Sequence, residues 1–352
     1  MGIAETRWLK SLKRKNKRRN DFHAKQIAKK TNNKKLKAPP HISIYDPEGK
    51  NKNCLKTLDF IEDIKRFFRK EPCIIDFSET NFISAAALIT IYAALETANT
   101  EHNKKSTIVY SKLSPRTNKT LRRTNTSKLI EGKTIKYSLR DSRYLPIVSS
   151  VGTEQMEEII DFIQERIYKG EMPPDTEFKY GDAVSETINN VNRHAYPSLS
   201  SSERRWWLLC EVIGKKLYLA IYDTGVGIPK TIIRKEWITS SLKKSYPEIY
   251  AELLEKKPEL ESTGLIPTIR RNLKDAQLIH LSLKGDVSGT KIQKHGQGSK
   301  SIRALVSETE DGKLWVFSNK GLYTYKDNDD FELYNLPKKV QGTLVQWNIE
   351  LP

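Results

Sequence analysis

Two hydrophobic periodicities alternate along the first half of the chain. Leu58, Ile61, Ile64 and Phe68 recur at helical spacing within Leu55–Arg69, and Pro72–Phe77 is a short continuous apolar run of the buried-strand kind. Ser84 precedes Ala85–Ala98, a segment of alanine and large aliphatics, and is placed to cap it as a helix. His41–Tyr45 and Thr107–Tyr110 read as further strands. This alternation predicts a small α/β layer over residues 41–145.

The second half has a different rhythm. Met156–Tyr168 is an amphipathic helix, with Ile159, Ile160, Phe162, Ile163 and Ile167 as its apolar positions. Trp206–Ile213 and Leu217–Tyr222 form a hairpin around Gly214-Lys215-Lys216. Leu314–Phe317 and Leu322–Tyr325 suggest a second hairpin, turning at Ser318–Gly321, and Gly342–Ile349 is a terminal strand. A mixed sheet with helices on one face, an α+β sandwich, is expected over 150–352, after a polar linker at Leu139–Gly152. The chain has no internal repeat.

Four segments of this half carry chemistry. The run Ile221-Tyr222-Asp223-Thr224-Gly225-Val226-Gly227-Ile228-Pro229 ends an alternating strand on a carboxylate beside two glycines. Glycine permits close backbone approach to a ligand, so a fixed acceptor near open N–H groups suits a purine with an exocyclic amine. In Ala183–Tyr196 (AVSETINNVNRHAY), Val184, Ile188, Val191 and Ala195 share one helical stripe, whereas Glu186, Asn190, Arg193 and His194 fall opposite. The oxygens of that polar face suit Mg²⁺, which binds through few protein ligands together with phosphates and water. Glu186 could also orient or deprotonate a water. His295-Gly296-Gln297-Gly298-Ser299-Lys300 is a glycine-rich turn entering a helix, an arrangement that can offer N–H groups to phosphate. The fourth segment is the terminal Gly342-Thr343 strand.

In this order, Glu-x3-Asn-x3-His, Asp-x-Gly-x-Gly, Gly-x-Gly and a final Gly-Thr strand, residues 150–352 resemble the ATP-binding domain of the GHKL superfamily, shared by DNA gyrase, heat-shock chaperones, histidine kinases and MutL. The resemblance implies ATP and Mg²⁺ as cofactors. It implies that Glu186 is the catalytic or water-positioning carboxylate and Asn190 the Mg²⁺ ligand, with Arg193 and His194 on the same nucleotide-facing side. It implies Asp223 as acceptor for the adenine amine, Gly225 and Gly227 lining the base, Gly296 and Gly298 hinging a phosphate-side lid, and Thr343 as a supporting adenine contact. The family often carries Leu after the second lid glycine. Here Ser299 and Lys300 follow, which makes Lys300 a candidate phosphate contact. The lid itself is a long insertion, about 230–295, with charged helical stretches at Ile232–Lys257 and Ile266–Leu283. No phosphoacceptor-histidine helix precedes the domain, so a histidine autokinase is not expected.

Residues 73–95, CIIDFSETNFISAAALITIYAAL, resemble the core of a STAS domain, the fold of anti-anti-sigma factors and transporter tails. Where regulatory members carry a phosphorylated serine at a helix start, this chain reads Ser84-Ala85-Ala86-Ala87. The resemblance therefore implies an interaction scaffold for a protein partner.

Charge adds a third region. The chain of 352 residues has a formal net charge of +18. Residues 1–40 hold fourteen Lys or Arg against two acids, a surplus of twelve. That segment is expected to be a disordered basic tail, solvated or gripping nucleic acid or another polyanion through residues 7–37, with strong salt dependence. No apolar run approaches the roughly 18–20 residues of a membrane helix. The basic amino terminus has no apolar segment after it, and three cysteines without a Cys-x-x-Cys suggest a reduced, cytoplasmic protein.

Three functions are open at this point: an ATP-driven regulatory switch with slow hydrolysis, a protein-serine kinase of the anti-sigma type, or a nucleic-acid-associated module whose nucleotide site is structural. A homodimer is compatible with each.

Overall fold

In the computed structural model, the described residues are 33–46, 52–102, 105–135, 138–139, 145–170, 173–233, 235, 237–256, 266–285, 297–309, 311–326 and 330–351. The chain divides into two compact units, Met1–Lys136 and Tyr137–Pro352. The basic segment up to residue 32, and Gly296 with most of the glycine-rich turn, lie outside the described residues.

The first unit contains β1 (Lys34–Lys37), β2 (His41–Ile42), α1 (Asn53–Asp63, extended by a wide turn over Ile64–Phe68), β3 (Cys73–Asp76), β4 (Phe82–Ile83), α2 (Ala85–His102), β5 (Thr107–Val109), α3 (Pro115–Arg123) and α4 (Thr126–Ile130). β1, β3 and β5 form a parallel sheet in that order, and β2 pairs with β4. Parallel neighbours need crossovers, which α1 and α2 supply. Buried strands and an almost wholly buried α2 explain why this region reads as continuous apolar runs. Ser84 caps α2 as expected, its Oγ accepting from the Ala87 N–H at 3.3 Å.

One expectation fails here. Lys34–Lys37 was assigned to the disordered tail, yet it is a strand paired with β3 from Lys34↔Cys73 to Lys37↔Asp76. Leu36 is buried while its neighbours Lys35 and Lys37 are exposed, a strand alternation masked by the surrounding lysines. Lys35 Nζ reaches Asp76 at 2.7 Å. Burial opposes ionisation of Asp76, but Lys35 and the Ser78 N–H outweigh it and hold the carboxyl below the usual range.

The second unit contains β6 (Val148–Val151), α5 (Met156–Phe162, continuing as a wide turn to Ile167), α6 (Pro174–Asn190, continuing as a wide turn over Val191–Ala195), β7 (Arg205–Ile213), β8 (Lys216–Asp223), α7 (Ile228–Ile232), α8 (Ile238–Ser245), α9 (Pro247–Lys256), α10 (Ile266–Asn272), α11 (Asp275–Gly285), α12 (Gln297–Ser307), β9 (Lys313–Tyr325) and β10 (Phe331–Glu350). The sheet order is β6-β7-β8-β10-β9. All four pairings are antiparallel, so the expected mixed sheet is corrected to an antiparallel one. Leu217, Leu219 and Ile221 of β8, with Trp347 and Ile349 of β10, pack in one core with Ile159 of α5, Val184 and Ile188 of α6, Ile279 of α11 and Leu305 of α12.

The second hairpin was also misplaced. Residues 318–321 do not turn; β9 runs unbroken through them, and the hairpin lies between Tyr325 and Phe331. Ser318-Asn319-Lys320-Gly321 has turn-forming composition, but ladder pairing with β10 claims its backbone, at the cost of register shifts between Asn335, Val340 and Thr343.

The insertion after β8 has its own small core, built from Ile232, Ile233, Ile238, Leu242, Leu253, Ile269, Leu273, Leu278 and Leu281. His280 of α11 stacks on Phe331 at 4.4 Å and on Tyr323 at 6.0 Å. Its Nδ1 lies 2.7 Å from the Tyr246 hydroxyl. The insertion is thereby anchored to the sheet through aromatic contacts, and α11 belongs to both cores.

Candidate functional site

The site forms where β8 ends. Leu217, Leu219 and Ile221 point into the core, which drives the strand inward and leaves Asp223, its last residue, buried at 3% exposure. Asp223 is the ladder partner of Thr343 on one side and of Trp206 on the other. Its Oδ1 accepts from the Gly225 N–H at 2.8 Å. Burial pushes its pKa up to about 7, against the opposing pull of the Gly225 and Thr343 N–H groups. A buried carboxylate held by backbone N–H groups alone leaves acceptor capacity for a ligand's donor.

Each glycine of the loop has a steric reason. A β-carbon on Gly225 would come within 2.2 Å of the Ala195 carbonyl oxygen. One on Gly227, whose φ is +85°, would meet the Ser318 Oγ and Asn319 Nδ2 at 2.8 Å each. Gly342, at φ +74°, leaves room for the Asp223 carbonyl oxygen, 2.0 Å from where its β-carbon would be. The Ser318 hydroxyl ties these parts together. It accepts from the Ile228 N–H at 3.0 Å, donates to the Gly342 carbonyl at 2.9 Å and lies 3.1 Å from the Thr343 Oγ1.

The polar helix arrives at the same loop. Val184, Ile188, Val191 and Ala195 are buried, as the stripe predicted. Glu186 is half-buried, and Asn190, Arg193 and His194 are exposed. The wide turn over Val191–Ala195 aims the helix end at the loop: the Ala195 carbonyl accepts from the Val226 N–H at 2.8 Å. Tyr196 completes the joint, its hydroxyl accepting from the Thr224 N–H at 2.9 Å and donating to the Arg205 carbonyl at 2.7 Å. Burial pushes the Tyr196 pKa up to about 12, and nearby Asp223 adds to the effect. Asp223, Gly225, Gly227 and Thr343 therefore lie together, next to the helix end bearing Asn190, Arg193 and His194.

The phosphate-side residues stand apart from this description. Gly298 and Lys300 fall in the first turn of α12, where the backbone alone is described, and Gly296 lies outside the described residues. Ser318, Asn319 and Tyr196 were missed. Ser318 and Asn319 were concealed by their turn-like composition, and Tyr196 by standing one residue beyond the polar face.

The donor set fits a nucleotide with its metal. One carboxylate and one amide on α6 match the sparse protein ligation of Mg²⁺. No group of three or more His, Cys, Asp or Glu side chains is arranged for a metal among the described residues, so the protein supplies no cage of its own there. All three cysteines are buried thiols. No helix among the described residues is long and apolar enough to cross a membrane. No family model matches the chain, and no curated protein matches it.

Proposed function

We propose that the second unit is an ATP-binding module of the GHKL kind, working as an Mg-ATP-dependent conformational switch with slow hydrolysis. The observation that carries this reading is Asp223, a buried carboxylate with backbone partners at the head of a loop too tight for any residue but glycine. Adenine presents an amine to such an acceptor, and the charge-assisted bond is strongest where water is excluded. Asn190 would hold Mg²⁺, which supplies charge neutralisation at the phosphates. Glu186, half-buried on the same helix, orients water or accepts its proton. Arg193 and His194 extend the polar face towards the phosphates, and Gly296, Gly298 and Lys300 are assigned to the phosphate side by the resemblance.

The first unit fits a STAS-like scaffold that binds a protein partner. Ser84 supports this, because its hydroxyl caps α2 and is followed by alanines. The basic segment through residue 37 is assigned to polyanion contact.

The test is incubation of the full chain with Mg²⁺ and γ-labelled ATP. Release of free phosphate that is lost in Glu186→Gln, with ATP binding retained, supports the switch. Label transferred to protein would replace it with the serine-kinase reading. Absence of ATP binding would overturn the assignment of Asp223.

A further inference from the structure

Asn319 is anomalous among the described residues. Its φ of +52° places it in the left-handed region, which L-residues other than glycine seldom adopt. Five other non-glycine residues share such a φ (Lys52, Asn125, Gln155, Lys169 and Asp311), but Asn319 alone among them is buried, at 5% exposure. It sits inside β9, opposite Val340, between the two register shifts that separate Asn335, Val340 and Thr343. Its Nδ2 makes only a long contact of 3.5 Å to the Val226 carbonyl, and its Oδ1 is buried with no hydrogen-bond partner. Backbone strain and an unmet acceptor both disfavour the fold. Glycine would relieve both. Strain retained in this way accumulates at functional sites.

The position supplies a function. Asn319 Nδ2 and Ser318 Oγ border the space left by Gly227, as does the Gly342 carbonyl at 3.1 Å. Gly342 in turn borders Asp223, whose Oδ1 would lie 2.8 Å from a β-carbon there. Asp223 and Asn319 thus flank one glycine-lined patch, each with acceptor capacity. An exocyclic amine carries two hydrogens and can satisfy two acceptors. A carbonyl in its place would face two acceptors and be rejected.

We propose that Asn319 is a specificity-determining residue of this pocket, its Oδ1 accepting the second hydrogen of the purine amine, directly or through one ordered water. This rests on the nucleotide reading of the Asp223 site. The strained strand holds the amide in place before the ligand arrives, so fold stability is given up for discrimination between adenine and guanine.

The experiment compares wild type with Asn319→Gly, measuring melting temperature without nucleotide and the affinities for Mg-ATP and Mg-GTP. The expected result is opposite signs: a melting temperature higher by about 2–4 °C, and ATP affinity lower by about tenfold with GTP affinity unchanged or improved, so that the ATP:GTP ratio collapses. An unchanged ratio would overturn the inference while leaving the ATP site standing. A lower melting temperature would also overturn it, since the amide would then hold the fold together. Wild type that binds neither nucleotide would overturn the nucleotide reading itself, and this inference with it.

Discussion

Gly225 lies against Ala195 so closely that a β-carbon would come within 2.2 Å of the Ala195 carbonyl oxygen and 2.8 Å of its β-carbon. This contact joins the loop after β8 to the end of the helix that carries Glu186 and Asn190. Gly225→Ala should therefore push loop and helix apart and destabilise the unit by about 2–4 kcal/mol, read by urea denaturation. Gly181 is the internal contrast. It lies in α6, and its nearest neighbour to a new β-carbon is Ile160 at 3.9 Å. Gly181→Ala should be neutral or stabilise by about 0.5–1 kcal/mol. Equal costs at both positions would show that the joint is not tight.

Asp223 links nucleotide binding to pH. With its pKa pushed up to about 7, the carboxyl is largely protonated in mildly acid solution. A purine amine requires the ionised form. Mg-ATP affinity should thus fall about tenfold per pH unit below 7 and level off above it. Calorimetric titration between pH 5.5 and 8 checks this, and a flat profile would contradict the role assigned to Asp223.

The same group sets a stability trend. The folded state holds the Asp223 proton up to a pH of about 7, whereas the model value for the carboxyl is 3.8. Its contribution is complete below the lower value and is lost as pH rises to the higher, on the order of 4 kcal/mol across the window. Asp223→Asn cannot ionise. Its stability relative to wild type should therefore rise between pH 4 and pH 7. Denaturation midpoints at pH 4.5 and pH 8 that move in parallel for both proteins would refute this.

Tyr196→Phe removes one hydroxyl that serves both the Thr224 N–H and the Arg205 carbonyl. Leaving these backbone groups unpaired should cost about 1–3 kcal/mol. The loss should appear in hydrogen exchange as faster exchange of the Thr224 amide. Protection unchanged at Thr224 would mean that another group holds the loop.

Truncation separates the tail from the fold. Removing residues 1–32 should leave the first unit folded and weaken binding to polyanions, with a shallower salt dependence. Removing residues 1–37 also deletes β1, and with it Leu36 and the Lys35–Asp76 ion pair. That truncation should unfold the first unit. Circular dichroism melts that coincide for the two truncations would remove β1 from the core.

The amphipathic stripe of α6, the apolar run of β3, the β7–β8 hairpin and the Ser84 cap were legible in the sequence, because each depends on local spacing: side chains three or four apart share a helix face, and a glycine turn joins two alternating runs. The chemistry of Asp223 and its glycines was legible for the same reason, within nine consecutive residues. Strand pairing was not. Lys34–Lys37 became a strand only because Cys73–Asp76 lay ready to pair with it, and Ser318–Gly321 stayed extended only because β10 claimed its hydrogen bonds. Such pairings join residues far apart in the chain, and no local pattern encodes them. The burial that raises the Asp223 pKa, the contact between Gly225 and Ala195, and the left-handed Asn319 beneath Gly227 arise in the same way. The sequence by itself determined which residues carry the chemistry; the tertiary structure decided how closely they meet and what that proximity costs.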